Sequence, residues 1–251
     1  MLGFAVETKL SETSFVQSPD AADADYRHRI WMTTREVPFA GHPSLGAAVA
    51  VARARGESQV RYIQQTHAGL QPVDVELDGR RGRASMFQEP PVFGPELPPE
   101  RVFEAIGLDP SDAAPDLPVQ VVSTGAWQII TPVSGPEALA RCRPDGPAVA
   151  ALINEHDALT IYAFASDPAT CATRARAFMF DVGDVSVEDP ATGSAAGPLI
   201  AYLYQRSGIE RISIDQGVEM GRPSRLDAAV AGDRVSIAGD VVILAEGIVD
   251  L

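Results

Sequence analysis

Alternating apolar and polar positions, in short runs rich in β-branched and aromatic residues, predict a strand-rich chain. Gly, Pro or Asp bounds these runs, as is common where strands end. The predicted strands cover 28–34, 59–66, 83–89, 119–124, 158–165, 211–217 and 240–249. We therefore expect sheet to form most of the molecule.

Two longer segments, 41–56 and 193–208, show a different pattern, because they begin apolar on nearly every face. This pattern predicts helices that are enclosed by other elements. Each segment ends on a glycine, the residue that most often stops a helix. Pro198 must fall near the first turn of the second helix, since otherwise the helix kinks there.

Proline and acidic residues crowd 90–118, which predicts a connector carrying one short helix near 99–107. A boundary near residue 116 divides the chain into an N-terminal half, 1–116, and a C-terminal half, 117–251, whose last strand can cross back to the first half. Each half holds several strands and one long apolar helix, and this similarity suggests an internal duplication.

Composition and charge exclude several functional classes. With 45% hydrophobic and 22% charged residues, the 251-residue chain resembles an ordinary globular protein. The net charge of −14 and the absence of a long Lys/Arg run argue against a nucleic-acid partner. No apolar stretch is long enough to cross a bilayer, and the N-terminus does not resemble a signal peptide. We therefore expect a cytoplasmic protein without a membrane partner.

The chain offers little for metal or nucleotide chemistry. Cys142 and Cys171 lack metal-ligand spacing and do not suggest a disulfide framework. No ligand cluster, GxGxxG motif or phosphate loop with its lysine occurs in the sequence. We therefore expect neither a bound metal nor a cofactor.

Candidate chemistry lies where the two apolar helices begin, at 41–44 (Gly-His-Pro-Ser) and 189–194 (Asp-Pro-Ala-Thr-Gly-Ser). A helix N-terminus presents unpaired N–H groups and partial positive charge, which can bind a carboxylate. Ordinary capping explains either loop alone. The occurrence of two such loops, each with an ionisable residue and a glycine, shifts the balance toward a binding site.

Glu12 and His42 are the candidate proton-transfer groups. Glu12 lies between short polar residues and an apolar strand, so it is either a solvated surface carboxylate or, in a closed cleft, a group that takes and returns a proton. His42 is either a satisfied polar residue at a helix start or a neutral imidazole that relays a proton.

Five segments together resemble the PhzF-like family, named for the isomerase of phenazine biosynthesis. They are LSETSFV (10–16), PFAGHPSLGAA (38–48), STGAWQIITPV (123–133), VEDPATGSAAG (187–197) and QGVEMGRPSR (216–225). The segments occur in the order found in the family and cover almost the whole chain.

The resemblance implies an α+β fold of two similar domains, each a curled, mainly antiparallel sheet around a central helix, with the site in the cleft between them. It implies that Glu12 is the catalytic acid/base and that His42 and Asp189 orient the substrate and help move protons. By the same match, Gly41, Ser44, Gly193 and Ser194 are expected to hold a small carboxylate-bearing substrate. A homodimer is also implied.

Related epimerases with this fold use two cysteines in the cleft, whereas here the matching loops carry His42 and 192–194. One carboxylate working on one face of the substrate, in a cofactor-independent isomerase, fits this sequence better than racemisation by two thiols. The alternatives are an amino-acid racemase or epimerase on the same fold and a non-catalytic ligand-binding relative.

One departure from the family concerns the start of the chain. Members usually begin with a strand, a Gly-Asn-Pro turn and a helix before the segment that matches 10–16. Here Met1-Leu2-Gly3 falls inside that first helix. The resemblance therefore implies that about one small strand-helix unit is absent, with a possible loss of activity as the expected consequence.

Overall fold

The computed structural model describes residues 1–167, 169–181 and 184–249, and these form two compact units. Unit 1 comprises residues 1–87 and 238–251, and unit 2 comprises residues 88–237. Residues 88–116, which the sequence analysis placed in the first half, lie in unit 2. Residues 168, 182–183 and 250–251 of the predicted C-terminal half lie outside the described residues.

Unit 1 is a sheet with a helix packed on it. Its elements are α1 (Leu2–Thr8), β1 (Thr13–Gln17), β2 (Tyr26–Trp31), β3 (Glu36–Val37), α2 (Gly41–Arg55), β4 (Gln59–Thr66), β5 (Gly69–Asp78) and β6 (Arg81–Phe87). The strand order is β1-β2-β4-β5-β6, and β3 pairs with β2. The pair β2–β4 is parallel, whereas the other pairs described within this order are antiparallel.

The core of unit 1 forms where the apolar face of α2 lies on the sheet. Leu45, Val49 and Ala52 of the helix pack against Tyr62 and Val73 of the strands. The helix ends at Gly56, whose φ of 71° lies in the left-handed region that glycine adopts without strain.

Unit 2 is a larger sheet with helices on both faces. Its elements are β7 (Val92–Leu97), α3 (Pro99–Ala105), a 3₁₀ turn (Pro110–Asp112), β8 (Val119–Ser123), β9 (Trp127–Pro132), α4 (Pro136–Arg141), α5 (Gly146–Glu155), β10 (Ala158–Ser166), β11 (Ala172–Asp181), β12 (Asp184–Asp189), α6 (Gly193–Ser207), β13 (Arg211–Gln216), β14 (Ser224–Ala231) and the first part of β15 (Arg234–Val242). Residues 238–242 of β15 belong to unit 1. The strand order is β15-β14-β13-β11-β10-β9-β8-β7, and β12 pairs with β11.

Alternation along the strands of unit 2 separates two cores. Val121, Ile129 and Ile161 face the cluster formed with α3, α4 and α5. Their neighbours Val122 and Ile130 face α6. Because adjacent strand residues point to opposite faces, one sheet packs a different helix layer on each side. The α+β class, with a central helix on the sheet of each unit, is confirmed.

The predicted helices at 41–56, 193–208 and 99–107 are confirmed, with ends within two residues of the observed ones. Pro198 lies inside α6, in its second turn. The helix nevertheless continues to Ser207, although Pro198 cannot donate the N–H that would bond the carbonyl of Ser194.

Two predictions along the chain are wrong in part. The strand predicted at 240–249 ends at Val242, and 243–249 form no strand. Leu244, Ile248 and Val249, three of the apolar residues that suggested a strand there, are exposed. Within the predicted connector 90–118, Val92–Leu97 form β7. Gly94 and Pro95 are accommodated because β7 ends the sheet order and its register shifts between Phe93 and Glu96.

Among the described residues, no helix is both long enough and apolar enough to span a membrane.

Candidate active site

In unit 1 the structure brings Glu12 and His42 together. Glu12 directly precedes β1, and His42 is the second residue of α2. Glu12 Oε2 lies 3.1 Å from His42 Nε2, and the two side chains are 19% and 42% exposed. Oε2 itself is buried, and no hydrogen bond of good geometry reaches it within the described part of the chain. A shielded carboxylate thus lies beside an imidazole that reaches solvent.

The start of α2 next to this pair presents backbone N–H groups. Ala40, the N-cap residue, is extended, and among the described residues no side chain caps this helix. Gly41 is buried and, being a glycine, has no side chain of its own beside its backbone N–H. Ser44 is fully buried and its hydroxyl donates to the Ala40 carbonyl over 2.8 Å, so its hydrogen is used inside the turn.

In unit 2 Asp189 ends β12 and α6 begins at Gly193. Asp189 Oδ2 accepts a hydrogen bond from the Thr192 hydroxyl at 2.6 Å, and Oδ1 lies 3.5 Å from the donating amide of Ala191. Both bonds fold the loop back on the aspartate. Gly193 is buried and Ser194 is half-buried at the start of the helix, which also lacks a side-chain cap within the described residues.

Gln216 holds the Asp189 loop in place through hydrogen bonds, a role that the sequence analysis missed. Its Nε2 donates to the Asp189 carbonyl at 2.6 Å and to Thr192 Oγ1 at 2.8 Å. Its Oε1 accepts from the Tyr162 hydroxyl at 2.8 Å and from the Thr192 amide at 3.3 Å. Gln216 is fully buried, and burial raises the pKa of Tyr162 well above its usual range. All four hydrogen-bonding positions of the amide are used.

A second buried glutamine fixes the first turn of α6. Gln88 Nε2 donates to the Gly193 carbonyl at 2.9 Å, and its Oε1 accepts from the Thr124 hydroxyl at 2.6 Å. Gly197 allows this approach, since a Cβ there would lie 1.8 Å from Gln88 Oε1. The segments 123–125 (STG) and 193–197 (GSAAG) that take part in this contact both belong to the family motifs noted in the sequence. The sequence alone does not show that the two segments pack together.

The two cysteines lie away from these groups. Cys142 is fully buried and free, and burial raises the pKa of its thiol to about 11. Cys171 is free and half-buried after β10. In the part of the chain that the structure describes, no three His, Cys, Asp or Glu side chains form a group that could hold a metal ion.

Comparison with known proteins identifies the family. The family model for phenazine biosynthesis-like proteins, PhzC-PhzF, matches residues 1–247. A trans-2,3-dihydro-3-hydroxyanthranilate isomerase of Pseudomonas aeruginosa is 35% identical over 98% of this chain and 87% of its own length.

Solved structures agree with this assignment. A PhzF-family phenazine biosynthesis protein of Bacillus anthracis superposes with a TM-score of 0.84 at 26% identity, covering 97% of this chain and 86% of that one. A predicted epimerase of Pseudomonas aeruginosa superposes with a TM-score of 0.79 at 30% identity, covering 98% and 88%. The chain therefore belongs to the PhzC-PhzF family of phenazine biosynthesis-like proteins and is an isomerase.

Proposed function

We propose that this isomerase moves a proton on a small, unsaturated, carboxylate-bearing substrate without a cofactor, and that Glu12 is the acid/base. The observation that carries the proposal is the Glu12–His42 pair, in which a largely shielded carboxylate lies 3.1 Å from an imidazole at an uncapped helix start. A positioned carboxylate of this kind can contribute about 10²–10⁴-fold to a proton transfer.

In the proposed reaction Glu12 removes a proton from a carbon of the substrate, and the electron pair of that C–H bond shifts into the conjugated system. The same carboxyl group then returns a proton to another carbon, so the double bond moves and no atom is gained or lost. His42, beside Oε2, orients the carboxyl group and stabilises it in either protonation state.

Asp189, Gly193 and Ser194 are proposed to hold the substrate. The Asp189 loop is tied down by Thr192 and Gln216, so the amides of the first turn of α6 keep a fixed direction. Fixed N–H groups at a helix start favour a carboxylate and stabilise negative charge that develops during the reaction. The start of α2, with Gly41 and Ser44, is proposed to serve the same purpose.

Racemisation by two thiols is disfavoured by the chain's own cysteines. The raised pKa of the buried Cys142 keeps its thiol protonated near neutral pH, which removes the nucleophilic and basic form. The name of the Pseudomonas aeruginosa relative supports a hydroxyanthranilate-type compound as the first substrate to test.

The experiment is incubation of the purified protein in D₂O with trans-2,3-dihydro-3-hydroxyanthranilate and a panel of small unsaturated and amino carboxylates. Mass spectrometry and NMR report the amount and position of deuterium. We expect deuterium at the carbon from which the double bond has moved, and its loss in Glu12→Gln. Exchange only at an α-carbon with inverted configuration would establish a racemase instead, and full exchange in Glu12→Gln would contradict the role of Glu12.

We also propose a homodimer in the cytoplasm, which family resemblance and composition support. Sedimentation equilibrium measures the oligomeric state, and a mass equal to one chain would contradict the dimer.

A further inference from the structure

A second polar group lies on the same face of β1 as Glu12. Ser14 is exposed and is two residues from Glu12, while Thr13 between them is buried and points to the opposite face, where it contacts Thr8. Ser14 Oγ lies 2.8 Å from Nε2 of His28 on β2. The proposed reaction makes no use of this pair.

His28 is an unusual side chain for a core, because it is only 1% exposed and carries two hydrogen-bonding nitrogens. Its Nδ1 lies 3.1 Å from Gln64 Oε1. Gln64 is fully buried, its Oε1 also accepts from the Tyr26 hydroxyl at 3.4 Å, and its Nε2 donates to Gln71 Oε1 at 3.3 Å. In this arrangement the oxygen of the Gln64 amide faces His28, and its nitrogen faces Gln71.

The orientation of Gln64 decides which way the remaining hydrogens point. Because Gln64 Oε1 only accepts, His28 Nδ1 carries the hydrogen and Nε2 presents a lone pair. The Ser14 hydroxyl must then donate to Nε2. Burial lowers the pKa of His28 to about 4, so the imidazole is neutral at neutral pH and this arrangement persists. The oxygen of Ser14, an exposed residue, is left with lone pairs that can accept a further hydrogen bond.

The order Ser14–His28–Gln64 resembles a nucleophile, a base and an orienting group. Chemistry argues against that use here. The two hydrogen-bond partners of His28 are uncharged, so an imidazolium formed by taking the serine proton would be buried without a counter-charge. The group therefore fixes the direction of a hydroxyl and does not activate it.

We propose that Ser14 is a substrate-contact residue whose oxygen, turned outward as a hydrogen-bond acceptor by His28, selects substrates that carry an amino or hydroxyl donor. This inference rests on the proposed function, in which Glu12 acts on that substrate. Two residues along a strand span roughly 6.6 Å, so the donor group of the substrate lies at about this distance from the part of the substrate on which Glu12 acts. An amino or hydroxyl group of the substrate can donate a hydrogen bond to the Ser14 oxygen, whereas a carbonyl or a methyl group at the same position cannot.

The orientation of the Ser14 hydroxyl is tested by the ¹⁵N spectrum of the imidazoles in the whole protein at pH 7.5, with His28→Leu assigning the signals. We expect a neutral His28 with hydrogen on Nδ1. Hydrogen on Nε2 would overturn the inference, since Ser14 would then accept from His28 and offer its own hydrogen outward.

Selectivity is tested by calorimetric binding of 2- and 3-aminobenzoate and of the methylbenzoates of the same substitution. One neutral hydrogen bond corresponds to about 3–10-fold in affinity, so one aminobenzoate should bind about 3–10-fold more tightly than the methylbenzoate with the same substitution. Ser14→Ala should remove the preference and leave the affinity for the methyl compound unchanged, while Ser14→Thr, which keeps the hydroxyl, should retain it.

The inference is overturned if Ser14→Ala keeps the preference for the amino compound, or if it weakens the binding of the amino and methyl compounds equally. It is also overturned if neither aminobenzoate binds more tightly than the matching methylbenzoate. Failure of the proposed function is read separately, from deuterium exchange in Glu12→Gln. A chain that binds selectively through Ser14 without exchange would be a ligand-binding relative, and a chain that exchanges without the Ser14 preference would lack only this selectivity.

Discussion

The starts of the two central helices are built in contrasting ways. At the start of α2, Glu12 Oε2 lies 3.1 Å from His42 Nε2, and the imidazole is 42% exposed. At the start of α6, the loop that carries Asp189 is tied by hydrogen bonds to Thr192 and Gln216, and Gln216 is fully buried. Within the described part of the chain, Glu12 Oε2 accepts no hydrogen bond of good geometry, whereas several hydrogen bonds hold the Asp189 loop.

This contrast matches two different tasks. A group that repeatedly gains and loses a proton must not be locked in one charge state, as it would be by a strong salt bridge. A group that holds a substrate benefits from fixed geometry, because disordered donors cost free energy when they become ordered. The contrast is consistent with the proposed function, in which the Glu12–His42 pair transfers the proton and the Asp189 loop holds the substrate.

The largest expected effect on stability comes from Gln216→Leu. This change leaves the Tyr162 hydroxyl, the Thr192 amide and the Asp189 carbonyl without their partner. Each buried polar group left unsatisfied costs about 1–3 kcal/mol, so for these three groups we expect a loss of about 3–9 kcal/mol in the free energy of unfolding. Urea unfolding measures it.

The controls for this change lie in both units. Tyr162→Phe removes one donor and should cost about 1 kcal/mol, because Gln216 Oε1 keeps the Thr192 amide. Glu12→Gln keeps the shape of the side chain, and among the described residues Oε2 accepts no hydrogen bond of good geometry, so stability should change by about 0.5 kcal/mol or less. A Gln216→Leu protein as stable as Glu12→Gln would remove the contrast.

The next effect is a pH dependence that arises in unit 1. Burial lowers the pKa of His28 to about 4, whereas an unfolded histidine titrates near 6.5. Between these values the unfolded chain binds the extra proton, so stability falls as pH decreases from about 6.5 toward 4. Near pH 4.5 the loss should reach about 2–3 kcal/mol.

His28→Leu isolates this contribution from those of other groups. The decrease in unfolding free energy between pH 7.5 and pH 4.5, from urea titrations, should be smaller in the variant by that amount. Equal decreases in both proteins would show that His28 is not a buried neutral imidazole. The amide and hydroxyls of the Gln216 network carry no charge in this range, so these groups should not supply a matching effect.

The smallest expected effect is a difference in stability between one glycine substitution in α6 and one in α2. Gly197→Ala places a methyl group 1.8 Å from Gln88 Oε1 and 2.7 Å from Thr124 Oγ1. Overpacking of this kind costs about 1–3 kcal/mol. Gly46→Ala in α2 meets no atom within 4 Å and should stabilise by up to about 1 kcal/mol through helix propensity. Opposite shifts in melting temperature are expected, and shifts of the same sign would contradict the packing described around α6.

Elements with a strong local pattern could be predicted from the sequence. The apolar runs that open α2 and α6, and the glycines that follow them, place both helices within one residue. Glu12 and His42 could be proposed because family motifs mark them, but their 3.1 Å contact joins residues thirty positions apart and needs the fold.

Elements whose local pattern is weak could not be predicted. β5 was not predicted because it contains Pro72, a residue that is uncommon inside strands. Pro72 lies opposite Ile63 of β4, and the N–H and carbonyl of Ile63 both bond to Asp25, so β4 needs no hydrogen bond from the proline. Gln216 was missed for a different reason. Its partners Tyr162, Asp189 and Thr192 come from separate elements, and a glutamine in a strand gives no local sign that it will be buried.

The most direct test of the division between proton transfer and substrate holding compares Glu12→Gln with Asp189→Asn in one deuterium-exchange experiment. Binding is measured by calorimetry and exchange at saturating substrate by mass spectrometry. The account predicts that Glu12→Gln binds like the wild type and loses about 10²–10⁴-fold in exchange rate. Asp189→Asn should bind more weakly and keep most of its exchange rate at saturation. A Glu12→Gln protein that exchanges normally, or an Asp189→Asn protein that binds normally and cannot exchange, would contradict the account.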